Sequence, residues 1–309
     1  MTAHGQWAAA PGEPILAEFP NLILLRKGTV QDKYLFLVHP GSGELDGYLG
    51  FSRLLDEQFT VVGIRAHREP GLAPRVTTIA EMAREYAGMI QRLQPHGIIN
   101  LAGWCFGGTV AAEIAMQFES AGRLIGRLGV INTGTPTPGE RDNWQPLSLA
   151  TERALVEAHS AQMLAYLDQA ADMESFWQTI AGLVNADIAR AVIPSLPARA
   201  IPRIQELEVG DIIYYLNTVR SFMNAQAGYS PKSRLQTRVF FIEAEDDREL
   251  IPDKAANRQR WQAICSQPIR FYRTAGDHFN MFRPPRVEEL AKAFNRAFHE
   301  SSAPTDKIE

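Results

Sequence analysis

Short apolar runs alternate with longer amphipathic stretches along most of the chain. Six runs of four to six residues are rich in β-branched and aromatic side chains, which is typical of buried strands. They cover residues 34–38, 59–64, 97–101, 128–131, 238–242 and 269–272. Strands that are continuously apolar and separated by helices are typical of a parallel sheet covered by helices on both faces. The pattern therefore predicts an α/β fold with a mostly parallel sheet, whose active site lies at the carboxyl ends of the strands.

Helical periodicity marks the stretches between these runs. Residues 78–93 and 284–299 are predicted to be helices, the second closing the chain. From about residue 146 to 230 there is no convincing strand pattern. Residues 151–167 are one helix candidate there, and another stretch has apolar residues at helical spacing: Ile212, Ile213, Leu216, Val219 and Met223. Because the segment falls between the fourth and fifth predicted strands, we interpret it as a helical lid above the strand ends. The alternative is an ordinary helical subdomain.

The length of 309 residues is enough for one large domain. We expect an Ala/Gly/Pro-rich flexible lead-in at 1–20, the domain at 21–300 and a tail at 301–309. The first residues lack a basic segment followed by an apolar one, so no signal peptide is expected. The two cysteines, Cys105 and Cys265, exclude a disulfide framework and suit a reducing compartment. We therefore expect a cytoplasmic protein.

Charge and hydropathy argue against two classes of partner. The formal net charge is −4 and the chain has no long basic run, which argues against nucleic-acid binding. No stretch approaches the roughly 18 uninterrupted apolar residues that a membrane helix needs. We therefore expect neither nucleic acid nor a membrane as a partner.

The segment LAGWCFGG runs from an apolar strand end into a glycine-rich turn and then into a helical stretch. Residues 103–107 have the frame G-x-S-x-G, with Cys105 where a serine is expected. Glycines are needed on both sides because side chains there would clash with the neighbouring strand and helix. Cys105 would then lie at a helix N-terminus, whose partial positive charge lowers the pKa of a thiol. We predict that Cys105 is a nucleophile, whereas Cys265 has no such context and is predicted to be a core or surface thiol.

His278 is the predicted base for this thiol. It lies in the segment GDHF, which closely follows the last predicted strand, and its late position matches the order of α/β-hydrolases. A base next to the nucleophile is what a thiol needs for covalent catalysis. The alternative is a histidine of an ordinary surface loop.

A second histidine ends the first predicted strand, in the turn HPGSG. Backbone N–H groups near Gly41 and Ser42 could complete an oxyanion hole with the N–H group of Phe106. We predict that His39, which begins this turn, is structural rather than catalytic.

Three segments resemble a known family: LILLRKGTVQDKYLFLVHPGSG, LAGWCFGGTVAAEIA and TAGDHFNMF. They are similar to the first strand pair and oxyanion turn, the nucleophile elbow and the histidine loop of chain-releasing (type I) thioesterase domains of nonribosomal peptide synthetases and polyketide synthases. The likeness spans most of the chain. It implies an α/β-hydrolase fold with a helical lid. Most members of the family use serine, and a minority use cysteine.

The resemblance also implies a reaction. An acyl chain, such as a polyketide or a peptide, passes from the phosphopantetheine of an acyl or peptidyl carrier protein onto Cys105. It is then released by hydrolysis, by cyclisation or to another nucleophile. No cofactor is implied beyond the arm that delivers this small-molecule acyl substrate. Ile212, Leu216 and Val219 of the lid, together with Trp104 of the elbow, are predicted to bind the substrate.

The sequence leaves open which residue orients His278. In the family the acid usually follows the strand after the elbow, and Asn132 stands there, 27 positions after Cys105. In the general α/β-hydrolase order the acid follows the next strand, where the segment AEDD offers Asp247 or Asp246. An asparagine can serve a thiol, as in Cys-His-Asn proteases, because a thiolate–imidazolium pair forms without a fully charged partner. Both possibilities stand.

Sulfur in place of oxygen predicts a demanding release step. Transfer from the pantetheine thiol to cysteine conserves a thioester, whereas transfer to serine gives a less activated oxyester. The acyl-enzyme then stays reactive toward amines and carbon nucleophiles. We therefore expect closure of a strained ring, formation of an amide or transfer to a second molecule.

Three other functions fit the same residues less well. An editing (type II) thioesterase would hydrolyse misprimed carriers. A plain cysteine hydrolase of the dienelactone-hydrolase type would need a different histidine loop and lid. A catalytically silent binding module of the hydrolase fold is suggested by the missing aspartate at Asn132.

Overall fold

A computed structural model describes residues 16, 18–68, 70–159, 167, 170–185 and 206–300. Most of the expected lead-in, the tail and parts of the lid segment (160–166, 168–169 and 186–205) lie outside the described residues. Within the described ranges, no helix combines the length and the apolar character needed to cross a membrane.

One sheet of seven strands forms the centre of the described structure. The strands are β1 (Leu22–Arg26), β2 (Tyr34–Val38), β3 (Thr60–Ile64), β4 (Ile99–Trp104), β5 (Ile125–Ile131), β6 (Val239–Ala244) and β7 (Arg270–Thr274). Their order is β1-β3-β2-β4-β5-β6-β7; β1 pairs antiparallel with β3, and the other neighbours are parallel. All six runs predicted from apolar patterning form strands, and the mostly parallel sheet is confirmed.

Helices connect the strands: α1 (Asp46–Leu54), α2 (Ile79–Leu93), α3 (Phe106–Ser120), α4 (Pro138–Asp142), α5 (Leu149–His159), α6 (Met173–Leu183), α7 (Val209–Ala227), α8 (Lys254–Ala263) and α9 (Arg286–His299). The apolar sides of α2 and α3 pack with Trp261 of α8 on one face of the sheet. Those of α1 and α9 pack on the other face. Both faces are therefore covered, as the continuous apolar strands predicted.

The parallel register brings the ends of the central strands together. Trp104 at the end of β4 pairs with Ile131 at the end of β5, and Ala244 of β6 pairs with Thr274 of β7. The loops that leave these ends carry the residues at positions 105, 132, 247 and 278. Four distant parts of the sequence thus meet at one edge, where parallel sheets place their sites.

The lid helices α5, α6 and α7 have a hydrophobic core of their own. It contains Val156, Leu167, Phe176, Trp177, Ile180, Val184, Ile212, Ile213 and Leu216. The predicted helix over 151–167 is observed to His159, and most of its remainder lies outside the described residues. The lid is tied to the loop before α2 because the Glu174 carboxylate accepts the N–H groups of Leu72 and Ala73.

A buried ion pair joins α5 to α7. Arg220 donates from both terminal nitrogens to the Glu152 carboxylate at 2.8 Å, and the indole N–H of Trp177 donates to the same carboxylate at 3.0 Å. The Glu152 side chain is fully buried and that of Arg220 is 12% exposed. Such a pair adds little net stability, but removing one partner leaves an uncompensated charge in the interior.

Replacing Arg220 by methionine is expected to lower the free energy of unfolding by about 3–5 kcal/mol, because the buried Glu152 carboxylate loses its counter-charge. Urea unfolding followed by circular dichroism measures this loss. The double variant Glu152→Gln/Arg220→Met is the control. It keeps an acceptor for Trp177 but no charge, and it should regain most of the stability. A loss below about 1 kcal/mol in the single variant would contradict this account.

Candidate active site

Cys105 lies in a sharp turn between β4 and α3. Its backbone has φ 57° and ψ −130°, a left-handed conformation that costs a residue other than glycine about 1–3 kcal/mol. The turn is possible because glycines stand two positions before and two positions after Cys105. A Cβ atom on Gly103 would collide with the backbone of Gly107, and one on Gly107 would collide with the backbone of Val38 and His39. The strained residue between these glycines is the arrangement expected of a nucleophile elbow.

Two backbone N–H groups donate toward the Cys105 sulfur. They belong to Phe106, the first residue of α3, and to Gly41 of the turn after β2. Both residues were predicted for an oxyanion hole. The third, Ser42, has no recorded contact with the sulfur among the described residues, and its hydroxyl accepts the N–H group of Glu44 at 3.3 Å. An acyl group on Cys105 would therefore meet donors from two separate loops.

The electrostatics of the thiol differ from the sequence-based expectation. Burial raises the pKa of Cys105 to about 11, although the N–H groups of Phe106 and Gly41 lower it, and the charge of Asp247 raises it further. The N–H group at the helix N-terminus lowers this pKa, as predicted, but the loss of hydration outweighs both N–H groups, so the pKa rises overall. The sulfur is therefore a neutral thiol around pH 7.

The His39 side chain anchors the turn that carries Gly41. Its ring nitrogens lie 2.8 Å from the Pro40 carbonyl oxygen and 2.8 Å from the Tyr86 hydroxyl. A carbonyl can only accept, so Nδ1 donates to Pro40 and Nε2 accepts from Tyr86. Burial lowers the pKa of His39 to about 4, and the ring packs against Phe106 and Phe222. His39 is thus a neutral part of the scaffold at neutral pH.

His278 follows β7 in a turn that its neighbours fix. Gly276 adopts φ +93°, and the Asp277 carboxylate accepts the N–H groups of Phe279 and Asn280 at 2.8 and 3.0 Å. The His278 ring is 3% exposed and lies over Trp104, with 5.2 Å between ring centroids. Trp104 also packs on Phe282, and it is not among the residues that line the cavity described below. Trp104, predicted to bind the substrate, packs against the His278 ring and is outside this lining.

Asn132 and Asp247 both lie beside His278. Asn132 Nδ2 is 2.9 Å from His278 Nδ1 and donates to Asp247 Oδ2 at 2.6 Å. Asp247 Oδ2 is 3.9 Å from His278 Nδ1, beyond hydrogen-bonding distance. The other carboxylate oxygen of Asp247 accepts the N–H groups of Glu249 and Leu250. Asn132 is therefore the residue in direct contact with the histidine, and Asp247 is behind it.

Two details of the sequence-based interpretation change here. Asp246, the alternative to Asp247, is exposed, so it is not part of this cluster. Asn132 also does not act like the asparagine of a Cys-His-Asn protease that accepts a hydrogen bond from the histidine. Its oxygen accepts the N–H group of Ala244 at 3.0 Å, and it presents its nitrogen to His278.

A cavity of about 230 Å³ opens above these groups, with Cys105, Asn132 and His278 in its wall. Residues of the loop after β5, of α4 and of α7 also line it. The predicted substrate-binding residues Ile212 and Leu216 instead belong to the lid core, and Val219 is also buried away from this lining. Of the five lid residues predicted by spacing, Met223 reaches the cavity. It is joined by residues that no motif indicated: Thr135, Glu140, Gln226, Ala227 and Leu250.

Comparison with known proteins identifies one matching family model. The model described as thioesterase domain matches residues 33–298. Malpibaldin synthetase of Mortierella alpina is 35% identical over 99 residues, which is 32% of this chain and 2% of the synthetase. Enterobactin synthase component F of Escherichia coli (strain K12) is 32% identical over 127 residues, 41% of this chain and 9% of that protein. The chain thus spans less than a tenth of the length of these relatives.

Solved structures show the same fold. The structure of a four-domain nonribosomal peptide synthetase, holo-AB3403, is one match. The match covers 91% of this chain and 20% of the synthetase chain, at a TM-score of 0.63 and 24% identity. The thioesterase domain of NocB from the nocardicin cluster matches 87% of this chain with 94% of its own, at a TM-score of 0.57 and 23% identity. Identities this low carry the fold and no finer conclusion.

Proposed function

Because the chain belongs to the thioesterase domain family, we propose that it is a chain-releasing thioesterase that uses Cys105 as its nucleophile. It takes an acyl chain, a polyketide or a peptide, from the phosphopantetheine of a carrier protein. It releases the chain by cyclisation, by transfer to another nucleophile or by hydrolysis. The observation that carries this proposal is the strained elbow that aims Cys105 at two backbone N–H donors.

The geometry supports a covalent route. The sulfur attacks the carbonyl carbon of the incoming thioester, and negative charge develops on the carbonyl oxygen. The N–H groups of Gly41 and Phe106, which already point toward the sulfur, are placed to stabilise that charge. His278 lines the same cavity as Cys105, so its ring is available to assist the thiol. The scheme needs no cofactor, because the pantetheine arm arrives with the substrate.

The carrier protein is the partner that this chemistry requires. The matched relatives are synthetases, and one solved relative is a multidomain nonribosomal peptide synthetase. The cavity formed by the described residues, about 230 Å³, is smaller than the roughly 300–1,000 Å³ of pockets that bury whole drug-sized ligands, so it would hold the reacting end of a long chain. The rest of the acyl chain would extend along α7 and the loop after β5.

Mass spectrometry of the intact protein tests the proposal. Mixing the wild-type protein with an acyl-pantetheine thioester should add the mass of one acyl group, and peptide mapping should place it on Cys105. A variant with Cys265→Ala should gain the same mass. A silent binding module would gain none, and an acyl group found only on Cys265 would also refute the proposal.

A further inference from the structure

The side-chain amide of Asn132 is held in one orientation by neighbours other than the histidine. Its Oδ1 accepts the N–H group of Ala244 at 3.0 Å, and its Nδ2 donates to Asp247 Oδ2 at 2.6 Å. Turning the amide over would set N–H groups against N–H groups at Ala244 and oxygen against oxygen at Asp247. Both contacts are repulsive, so the orientation shown is the one the hydrogen bonds require.

This orientation determines where His278 carries its proton. Asn132 Nδ2 lies 2.9 Å from Nδ1 of the ring, and an amide nitrogen only donates. Nδ1 must therefore accept, and a neutral imidazole that accepts at Nδ1 has its hydrogen on Nε2. The three distances among Asn132 Nδ2, His278 Nδ1 and Asp247 Oδ2 place the two acceptors at nearly a right angle as seen from Nδ2. Each N–H bond of the amide can thus point to one acceptor.

We infer that Asn132 holds His278 in the tautomer that carries its hydrogen on Nε2, as a hydrogen-bond donor toward Cys105; we call this arrangement the lock. The lock suits a cysteine nucleophile and would disable a serine. The nucleophile ionises by itself instead of passing its proton to the histidine. This inference rests on the proposed function, because it assumes that Cys105 is the nucleophile. It assigns Asn132 as a positioning residue.

In this tautomer His278 cannot act as a general base toward Cys105. To take a proton on Nε2, His278 would need its other hydrogen on Nδ1, where it would face the N–H groups of Asn132. The Asp247 carboxylate, which could accept that hydrogen, is 3.9 Å from Nδ1 and occupied by Asn132. An amide in place of the acid costs a Ser-His-Asp unit about 10⁴-fold in rate, because it selects the wrong tautomer. With a serine at position 105, this site would bear that cost in full.

A thiol avoids the cost because it ionises far more readily than a hydroxyl. Burial raises the pKa of Cys105 to about 11, so the thiolate is a minor species that becomes more abundant as the pH rises. The N–H groups of Phe106 and Gly41 stabilise it. In the inferred tautomer, Nε2–H of His278 would add a third donor.

The acylation step balances without a histidine base. Cys105 loses its proton to water, and the thiolate forms a bond to the acyl carbon. The bond from that carbon to the pantetheine sulfur breaks, and its electron pair leaves with the sulfur. The pantetheine thiolate then takes a proton from water, so no net proton is consumed. His278 donates a hydrogen bond throughout and transfers nothing.

Few other titratable groups face this pair in the described structure. Glu140 of α4 also lines the cavity, and its carboxylate caps its own helix by accepting the N–H group of Thr137. The Asp277 carboxylate is turned into its own loop, where it accepts backbone N–H groups. The part of α7 that lines the cavity, Met223, Gln226 and Ala227, carries no titratable group. The pH dependence of acylation is therefore expected to report chiefly on Cys105.

The first test is the pH profile of acylation, measured by intact mass with an acyl-pantetheine thioester. In the wild type the rate should rise about tenfold per pH unit from pH 7 to 10, because the thiolate fraction does. In Asn132→Asp the carboxylate can accept a hydrogen from Nδ1, which restores a histidine base. The rate should then be higher at pH 7 and level off above neutral pH. A wild-type profile that levels off near neutral pH and is the same in Asn132→Asp would overturn the lock.

The second test exchanges the nucleophile in both backgrounds. Cys105→Ser alone should be inactive, whereas Cys105→Ser/Asn132→Asp should be faster than the single variant by about 10²–10⁴-fold. Circular dichroism of each variant shows whether it is folded. Two results would overturn the pairing of cysteine with asparagine. Either the folded double variant is as slow as Cys105→Ser, or Cys105→Ser alone is already as active as the double variant.

The third test does not depend on activity or on a variant at position 132. The ¹⁵N spectrum of the protein labelled at its seven histidines should show His278 with Nδ1 unprotonated and Nε2 protonated, the signals being assigned with His278→Gln. A proton on Nδ1 would overturn the lock even if Asn132→Asp fails to fold. If the wild type takes up no acyl group at any pH, the proposed function fails, and these ring signals still decide the tautomer.

Discussion

Cys105→Ala is expected to abolish acyl-enzyme formation and to reduce turnover to the level that the remaining site provides. Alanine removes the sulfur but leaves both N–H donors of the oxyanion hole in place. Removing the nucleophile of a comparable catalytic unit costs about 10⁶-fold in kcat. Steady-state release of product from an acyl-carrier protein measures the effect, with intact mass confirming that no acyl group is bound.

Cys265→Ala is the matched control for this loss. Cys265 is buried in the core near Trp261, and burial raises the pKa of its thiol to about 12, so it is a poor nucleophile. Its replacement should leave turnover near the wild-type value. Turnover that survives in Cys105→Ala and disappears in Cys265→Ala would show that the elbow is not the site of chemistry.

His278→Ala is expected to lower the rate of acylation by about 10²–10³-fold, the effect of removing one donor that faces developing negative charge. Alanine also leaves one of the two N–H bonds of Asn132 Nδ2 without an acceptor, since that bond points to the ring at 2.9 Å while the other donates to Asp247. Single-turnover acylation across pH 7–10 measures the loss. Because the histidine is proposed to act as a donor, the slope with pH should persist in the variant.

His278→Gln separates a donor from a base. Glutamine can offer an N–H group to the sulfur but cannot take up a proton at these pH values. It should retain more activity than alanine. Equal loss in both variants, with a flat pH profile in the wild type, would identify His278 as a general base of the ordinary kind. An alanine variant within about tenfold of the wild type would remove His278 from the site altogether.

The lid shows how a correct periodicity can still give the wrong lining. Apolar residues at helical spacing correctly indicated α7, but Ile212 and Leu216 face α5 and α6 in a separate core. Met223, near the end of the same helix, reaches the cavity instead. A hydrophobic period predicts that a helix has a buried side, yet it does not specify which neighbour that side meets.

Short sequence patterns were enough to predict the sheet, the elbow and the histidine loop. Continuous apolar runs predicted six of the seven strands, and the glycines at positions 103 and 107 predicted the strained turn at Cys105. The strands follow from burial and the turn from the glycines two positions either side of Cys105, although the clash that requires Gly107 is with the distant Val38 and His39. These patterns are therefore visible in short segments.

The arrangement around His278 could be read only from the folded protein. Asn132 and Asp247 were alternatives in the sequence, and folding places both in one chain of hydrogen bonds, with the asparagine in contact with His278. The direction of that chain depends on the N–H group of Ala244, which fixes the Asn132 amide from the next strand. Burial likewise decided that the thiol pKa rises. Hydrogen-bond direction and desolvation depend on groups that are distant in sequence, so they exist only once the strand ends have come together.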